Sequence, residues 1–159
     1  MTTTALSVRA AAKRQIRDLL AAEAPARLDG KPVPVLVGPD GRNIEDVVYI
    51  IGRVEGLSYE VPAFTGPTER LWRDDVFRVE VLCIATCPSD LDQLESDDRA
   101  VALFDVLDGI VADDPSLDEL AGVQWAVMGV PEGPDPVPGD AQVWTSQVRA
   151  WVEVHARSI

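Results

Sequence analysis

Residues Val76 to Ala85 read VFRVEVLCIA, with Phe77, Val79, Val81 and Cys83 on one side and Arg78 and Glu80 on the other. A period of two marks a strand with one buried face, because successive side chains of an extended chain point to opposite faces. Such a strand cannot bury its apolar side alone, so it commits the chain to a sheet with a second layer over it. Leu82 and Ile84 interrupt the polar side, so a helix or a neighbouring subunit is expected to cover that end of the far face.

Two segments can supply the layer. From Ser7 to Glu23, strong helix formers carry an apolar stripe through Val8, Ala12, Ile16, Leu19 and Leu20, with Ser7 the expected cap and Pro25 the stop. The opposite side holds Arg9, Lys13, Arg14 and Arg17; it is either an ordinary solvated face or a dock for an acidic neighbour. The second helix is expected over Arg99 to Ala112, where Val101, Leu103, Phe104, Leu107, Ile110 and Val111 form a broad apolar surface. The acid-rich SDLDQLESDD precedes it, with Ser96 or Asp97 as cap and Asp97 and Asp98 near the positive end of the helix dipole.

Further strands are expected at Pro32 to Val37, an edge position given its prolines, at Val47 to Ile51, and at Leu57 to Val61. Gly38 to Gly41 reads as a turn, and Gly52 and Gly56 as a bend between the second and third segments. Pro62 to Asp75 lacks a stable period and reads as a loop or extended arm, in which Phe64 and Trp72 either fold onto the core or contact a partner. Val123 to Val127 and Gln142 to Val154 suggest a hairpin, joined by the loop GVPEGPDPVPGD. In its last strand Trp144, Ser146, Val148, Ala150, Val152 and Val154 share the expected core side. Arg149, Trp151, Glu153 and His155 lie on the other, which is mixed enough to be solvated or to join an interface.

This order predicts an α+β fold: a mostly antiparallel sheet packed by two main helices, with a long extended loop or arm. At 159 residues one domain over 1–159 is expected, with residues 1–6 flexible.

The chemistry is read mainly from what fails to converge. Against 14 basic residues stand 27 acidic ones, a net charge of -13, which repels bare nucleic-acid phosphates and favours protein partners. Cys83 and Cys87 are too few for a disulfide framework and lack the companions of a zinc site, so they are expected in the core. His155, the sole histidine, is expected at a surface or edge. Ser146 and Ser158 belong to no Gly-x-Ser-x-Gly elbow, and GPDGRN lacks the lysine and hydroxyl of a phosphate-binding loop. The adjacent pairs Asp74 and Asp75, Asp97 and Asp98, and Asp113 and Asp114 fit loop and helix boundaries as well as they fit a cation. The opening MTTTALSVRAAAKRQ has no apolar run after its basic residues, and no membrane-spanning segment follows, so folding inside the cell is expected. The expectation is a protein that is not an enzyme, with no cofactor and no metal.

The stretch YEVPAFTGPTERLWRDDVFRVEVLCIATCP, followed by an acidic connection and the helix RAVALFDVLDGIVADDPSL, resembles the tail terminator, or tail completion, proteins of long-tailed bacteriophages. The resemblance is strongest from Leu57 to Leu117, and the first helix and closing strand extend it over most of the chain. It implies a structural virion protein that forms a ring, commonly a hexamer, at the head-proximal end of the tail tube, stops tube polymerisation and joins the tail to the head. Its implied partners are further copies of itself, the major tail tube protein and a head-side connector or stopper. Genomic DNA would pass through the lumen without specific binding, discouraged from adhering by acidic residues, and there would be no membrane contact. Assembly would take place in the bacterial cytoplasm and the protein would end in the neck of the virion. A head-tail connector or head-completion component is the nearest alternative, and a small hydrolase the alternative from another class. The residues expected at interfaces are Arg14 and Arg17 on the helix, Phe64, Arg70 and Trp72 in the arm, and Arg149 and Trp151 on the outer side of the last strand. Exchanging Arg14 or Arg17 for an acid is expected to weaken assembly, more so at low salt.

Overall fold

The structure, a computed structural model, describes residues 5–38, 46–60, 73–138 and 143–158. Its order is α1 (Ala5–Arg27), β1 (Val35–Val37), β2 (Val47–Glu60), β3 (Arg73–Pro88), α2 (Gln93–Asp113), β4 (Val123–Met128), β5 (Glu132–Pro136) and β6 (Val143–Ser158). The strands form one six-stranded sheet in the order β1-β2-β3-β6-β4, with β5 also paired to β6. All pairings are antiparallel except β1 with β2. The fold is α+β, with both helices on one face of the sheet.

The period-two run sits at the centre of this sheet, as part of a longer strand. Phe77, Val79, Val81, Cys83 and Ala85 are each 0% exposed and meet Val8, Ala12, Ile16 and Leu20 of α1 and Leu103, Leu107 and Ile110 of α2 in one core. Burying a leucine, isoleucine or phenylalanine side chain contributes about 1.5–3 kcal/mol, so this contact between layers is the main source of stability. Tyr49 adds a polar tie, its hydroxyl donating to the Leu103 carbonyl at 2.7 Å in the interior. Burial pushes the Tyr49 phenol and the Cys83 thiol well above their ordinary values, and both cysteines are buried with free thiols.

Several boundaries depart from the sequence expectation. Ser7 lies inside α1 rather than capping it, and Pro25 lies within the last turn. The helix continues because the Leu28 and Gly30 amides bond to the Ala24 and Pro25 carbonyls, and it ends where Asp29 and Gly30 take positive φ. The two short strands expected either side of Gly52 and Gly56 are the single β2. Continuous pairing with β3 absorbs the glycines as irregularities between Ile51 and Val54 and between Gly56 and Ser58. A β-carbon on Gly52 would collide with the Glu80 carboxylate, and one on Gly56 would come 2.8 Å from Arg9 Nη2. The expected turn after Gly38 and the arm carrying Phe64, Arg70 and Trp72 lie outside the described residues.

The second helix starts earlier than Ser96 or Asp97. Asp92 is its cap, accepting the Glu95 amide at 3.1 Å, so the second half of the acid-rich stretch, Gln93 to Asp98, forms the first turns of α2 and only Ser89 to Asp92 connects it to β3. Replacing Asp92 by alanine removes one partner of the otherwise unbonded first-turn amides. A loss of about 1 kcal/mol in urea unfolding is expected, with Asp92→Asn keeping most of it.

Part of the connector between β4 and β6 is also a strand. In β5, Glu132 pairs with Arg149, Asp135 with Gln147 and Pro136 with Ser146. Its prolines are tolerated because β5 borders the sheet, where an amide on the outer side needs no ladder partner. Trp144 is another departure: it begins the core side of β6 but is 41% exposed, its indole donating to the Leu91 carbonyl at 2.8 Å.

Candidate functional site

The sheet has two unlike faces. One carries the helices. Over the other, no helix or strand of the chain lies among the described residues, and cross-strand register arranges its side chains in rows. One row runs Glu55, Arg78, Glu153, Val127, and another Ile50, Leu82, Arg149, Glu132.

These rows form a lattice of alternating charge around Trp151. Arg78 places its guanidinium carbon 3.8 Å from the Trp151 ring centroid and Arg53 lies at 5.7 Å, both in cation–π range. Arg78 and Arg53 share the Glu55 carboxylate at 2.7 and 2.9 Å, and the Arg78 hydrogen bond holds the Glu55 carboxyl below its usual range, with Arg53 adding to the effect. Arg149 bridges Glu80 at 3.1 Å and Glu132 at 3.2 Å. The Arg149 Nε contact with Glu80 is close but not aligned as a hydrogen bond, and the Trp151 indole N–H is buried with no hydrogen-bond partner among the described residues. Ion pairs this open to solvent are screened and add little, so the lattice orients side chains more than it stabilises the fold. At its border His155 stacks on Trp125 at 3.4 Å between ring centroids and bonds Glu153 at 2.7 Å.

The residues expected at interfaces fall in separate places. Arg14 is exposed on α1, and Arg17 pairs with Asp18 at 2.8 Å; both lie on the helical side of the sheet. Arg149 and Trp151 lie on the bare face, as their alternation required. Trp151 is only 3% exposed, however: Arg78 and Arg53 lie over its ring and it does not stand open as an apolar anchor. Phe64, Arg70 and Trp72 lie outside the described residues.

Sequence reasoning also missed a buried ion pair. Arg9, grouped there with the solvated cations of α1, reaches Asp75 through Nε at 2.8 Å and Nη2 at 2.6 Å. Asp75 is 2% exposed. Its place in the alternation, in phase with Phe77, was the available signal. On the solvent side of α2 the exposed acids Asp98, Asp105 and Asp108 form a stripe.

The nearest approach to a catalytic constellation is at the start of α2. Ser146 Oγ lies 2.7 Å from Ser96 Oγ and also bonds Gln93 Nε2 and Asp97 Oδ1. Both serines are 0% exposed, and His155 is near the other end of β6. The Ser146 hydroxyl donates to the Asp97 carboxylate but is sealed from solvent, so this cluster ties the helix to the strand. Among the described residues no group of three or more histidine, cysteine, aspartate or glutamate side chains is placed to hold a metal ion, and no helix is long and apolar enough to cross a membrane. No protein-family model matches the chain, and no curated protein matches it.

Proposed function

We propose that this protein is a structural component of a long-tailed bacteriophage that forms a ring at the head-proximal end of the tail tube, ends tube polymerisation and presents the surface to which the head joins. It acts without bond-breaking chemistry. The observation that carries this reading is the contrast between the faces of the sheet: one is sealed by α1 and α2, while the other holds an ordered lattice of arginine and glutamate around Trp151, with no helix or strand above it among the described residues. A protein that works by its surfaces needs such preorganised side chains. The outer half of β2 supports the same reading, since every residue from Gly56 to Glu60 is exposed, including Leu57 and Tyr59. The acidic stripe of α2 is the surface suited to a lumen through which DNA slides, because like charge discourages adhesion.

The test is to add the purified protein to polymerising tail tube protein of the same phage and to follow tube length and end density by electron microscopy. Ring-shaped density at one tube end with arrested growth is expected. Unchanged growth with bare ends would refute termination and move the protein to the head side of the joint.

A further inference from the structure

The opposite edges of the sheet carry opposite chemistry. On the β2 side a shallow groove has an apolar floor of Ile50 and Leu82, glycine walls at Gly38 and Gly52, and the cations Lys13 and Arg53 at its rim. Glu80 also borders it but is already engaged by Arg149 at 3.1 Å. Lys13 has no ion-pair partner among the described residues, and Arg53 is 63% exposed beyond its contact with Glu55. On the far edge all of β5, Glu132–Pro136, is exposed, with Glu132 and Asp135 as its charges and no ion-pair partner for Asp135 among the described residues.

Register connects the two places. Ile50 pairs with Leu82, Leu82 with Arg149, and Arg149 with Glu132, so the groove floor and the acidic strand lie along one row, which continues past Ile50 to Leu36 of β1. They cannot meet within one molecule. We propose that copies of this chain associate head to tail, the acidic β5 edge of one copy entering the Lys13–Arg53 groove of the next. Pro134 and Pro136 interrupt the run of amide donors along β5, so the contact is made by side-chain charge rather than by a continued ladder. The contact uses a different patch on each copy, so it propagates, and it closes into a ring where the rotation between successive copies divides a full turn. The inference deepens the self-association in the proposed function and rests on that reading for the ring, while tube capping is read out separately.

The test uses sedimentation velocity of the whole chain over a concentration series, at about 50 mM and about 500 mM salt. Oligomers larger than dimers that weaken at the higher salt are expected. Lys13→Glu and Asp135→Lys should each weaken association about tenfold or more, and the two together should restore it to within about threefold of the original. Both positions are on the surface, and circular dichroism checks that each variant folds. Monomers at every concentration, a dimer that grows no further, or association indifferent to both reversals would overturn the proposal. If the charge swap behaves as expected while tubes keep growing, the contact stands and termination fails. If growth stops but neither reversal matters, the ring is built through another surface and this contact fails.

Discussion

Arg9→Leu is expected to cost about 3 kcal/mol, at the lower end of the range for breaking a buried ion pair. The reason lies with the partner: Asp75 is 2% exposed and takes two hydrogen bonds from Arg9, at 2.8 and 2.6 Å. Without the guanidinium its carboxylate is left in the interior with no counter-charge. Removing both charges, Arg9→Leu with Asp75→Leu, should recover most of the loss, since a buried pair is worth little against apolar replacements once desolvation is counted. Urea unfolding of the two single variants and the double variant gives the coupling directly. Additive losses would show that the pair does not act as a unit. The Asp75 hydrogen bond raises the Arg9 pKa, so its linked stability is full below the ordinary arginine value and is lost only as the pH rises through the higher folded value. The effect of Arg9→Leu should therefore be the same at pH ~7 and ~9.

Phe77→Ala should be at least as damaging, with a loss of about 3–5 kcal/mol and a melting temperature lower by about 10 °C. Phe77 is 0% exposed in the central strand, and a rigid sheet beneath two helices has little freedom to close the cavity. Phe77→Leu keeps most of the volume and should lose less than half as much. Differential scanning calorimetry of the pair separates lost volume from general intolerance, because equal losses would mean that the site resists any change. The ring also lies 5.6 Å from the Arg9 guanidinium carbon, so combining Phe77→Ala with Arg9→Leu should give less than the sum.

What the sequence made legible was periodic. The alternation of β3 and β6 and the i, i+4 stripe of α1 name the core, because burial acts on every repeat of the pattern. The same logic placed Arg149 and Trp151 on the outer face. It fails where a residue is decided by a distant partner. Arg9 lies among α1 cations, and only a contact 66 residues away turns it inward, onto the buried Asp75. Trp151 reads as an exposed aromatic until Arg78 and Arg53 fold over it. The start of α2 was hidden for another reason: acids that suggest a solvated connector also suit the first turn of a helix, and Ser96 reveals its burial only through Ser146. In β5, prolines that mark a loop locally are compatible with a strand once β6 supplies the neighbouring edge.

The way the sheet ends bears on how the proposed assembly would be controlled. Pro32 and Pro34 precede β1, Pro134 and Pro136 interrupt the donors of β5, and the Ala126 amide of β4 is bonded to the Pro115 carbonyl. Much of the backbone at these borders is therefore withheld from the irreversible strand stacking that open sheet edges invite. Association left to side chains is weaker, reversible and adjustable by ionic strength. In the proposed ring, the protein would then accumulate without templating its own aggregation, and a wrongly joined neighbour would leave before the ring is completed.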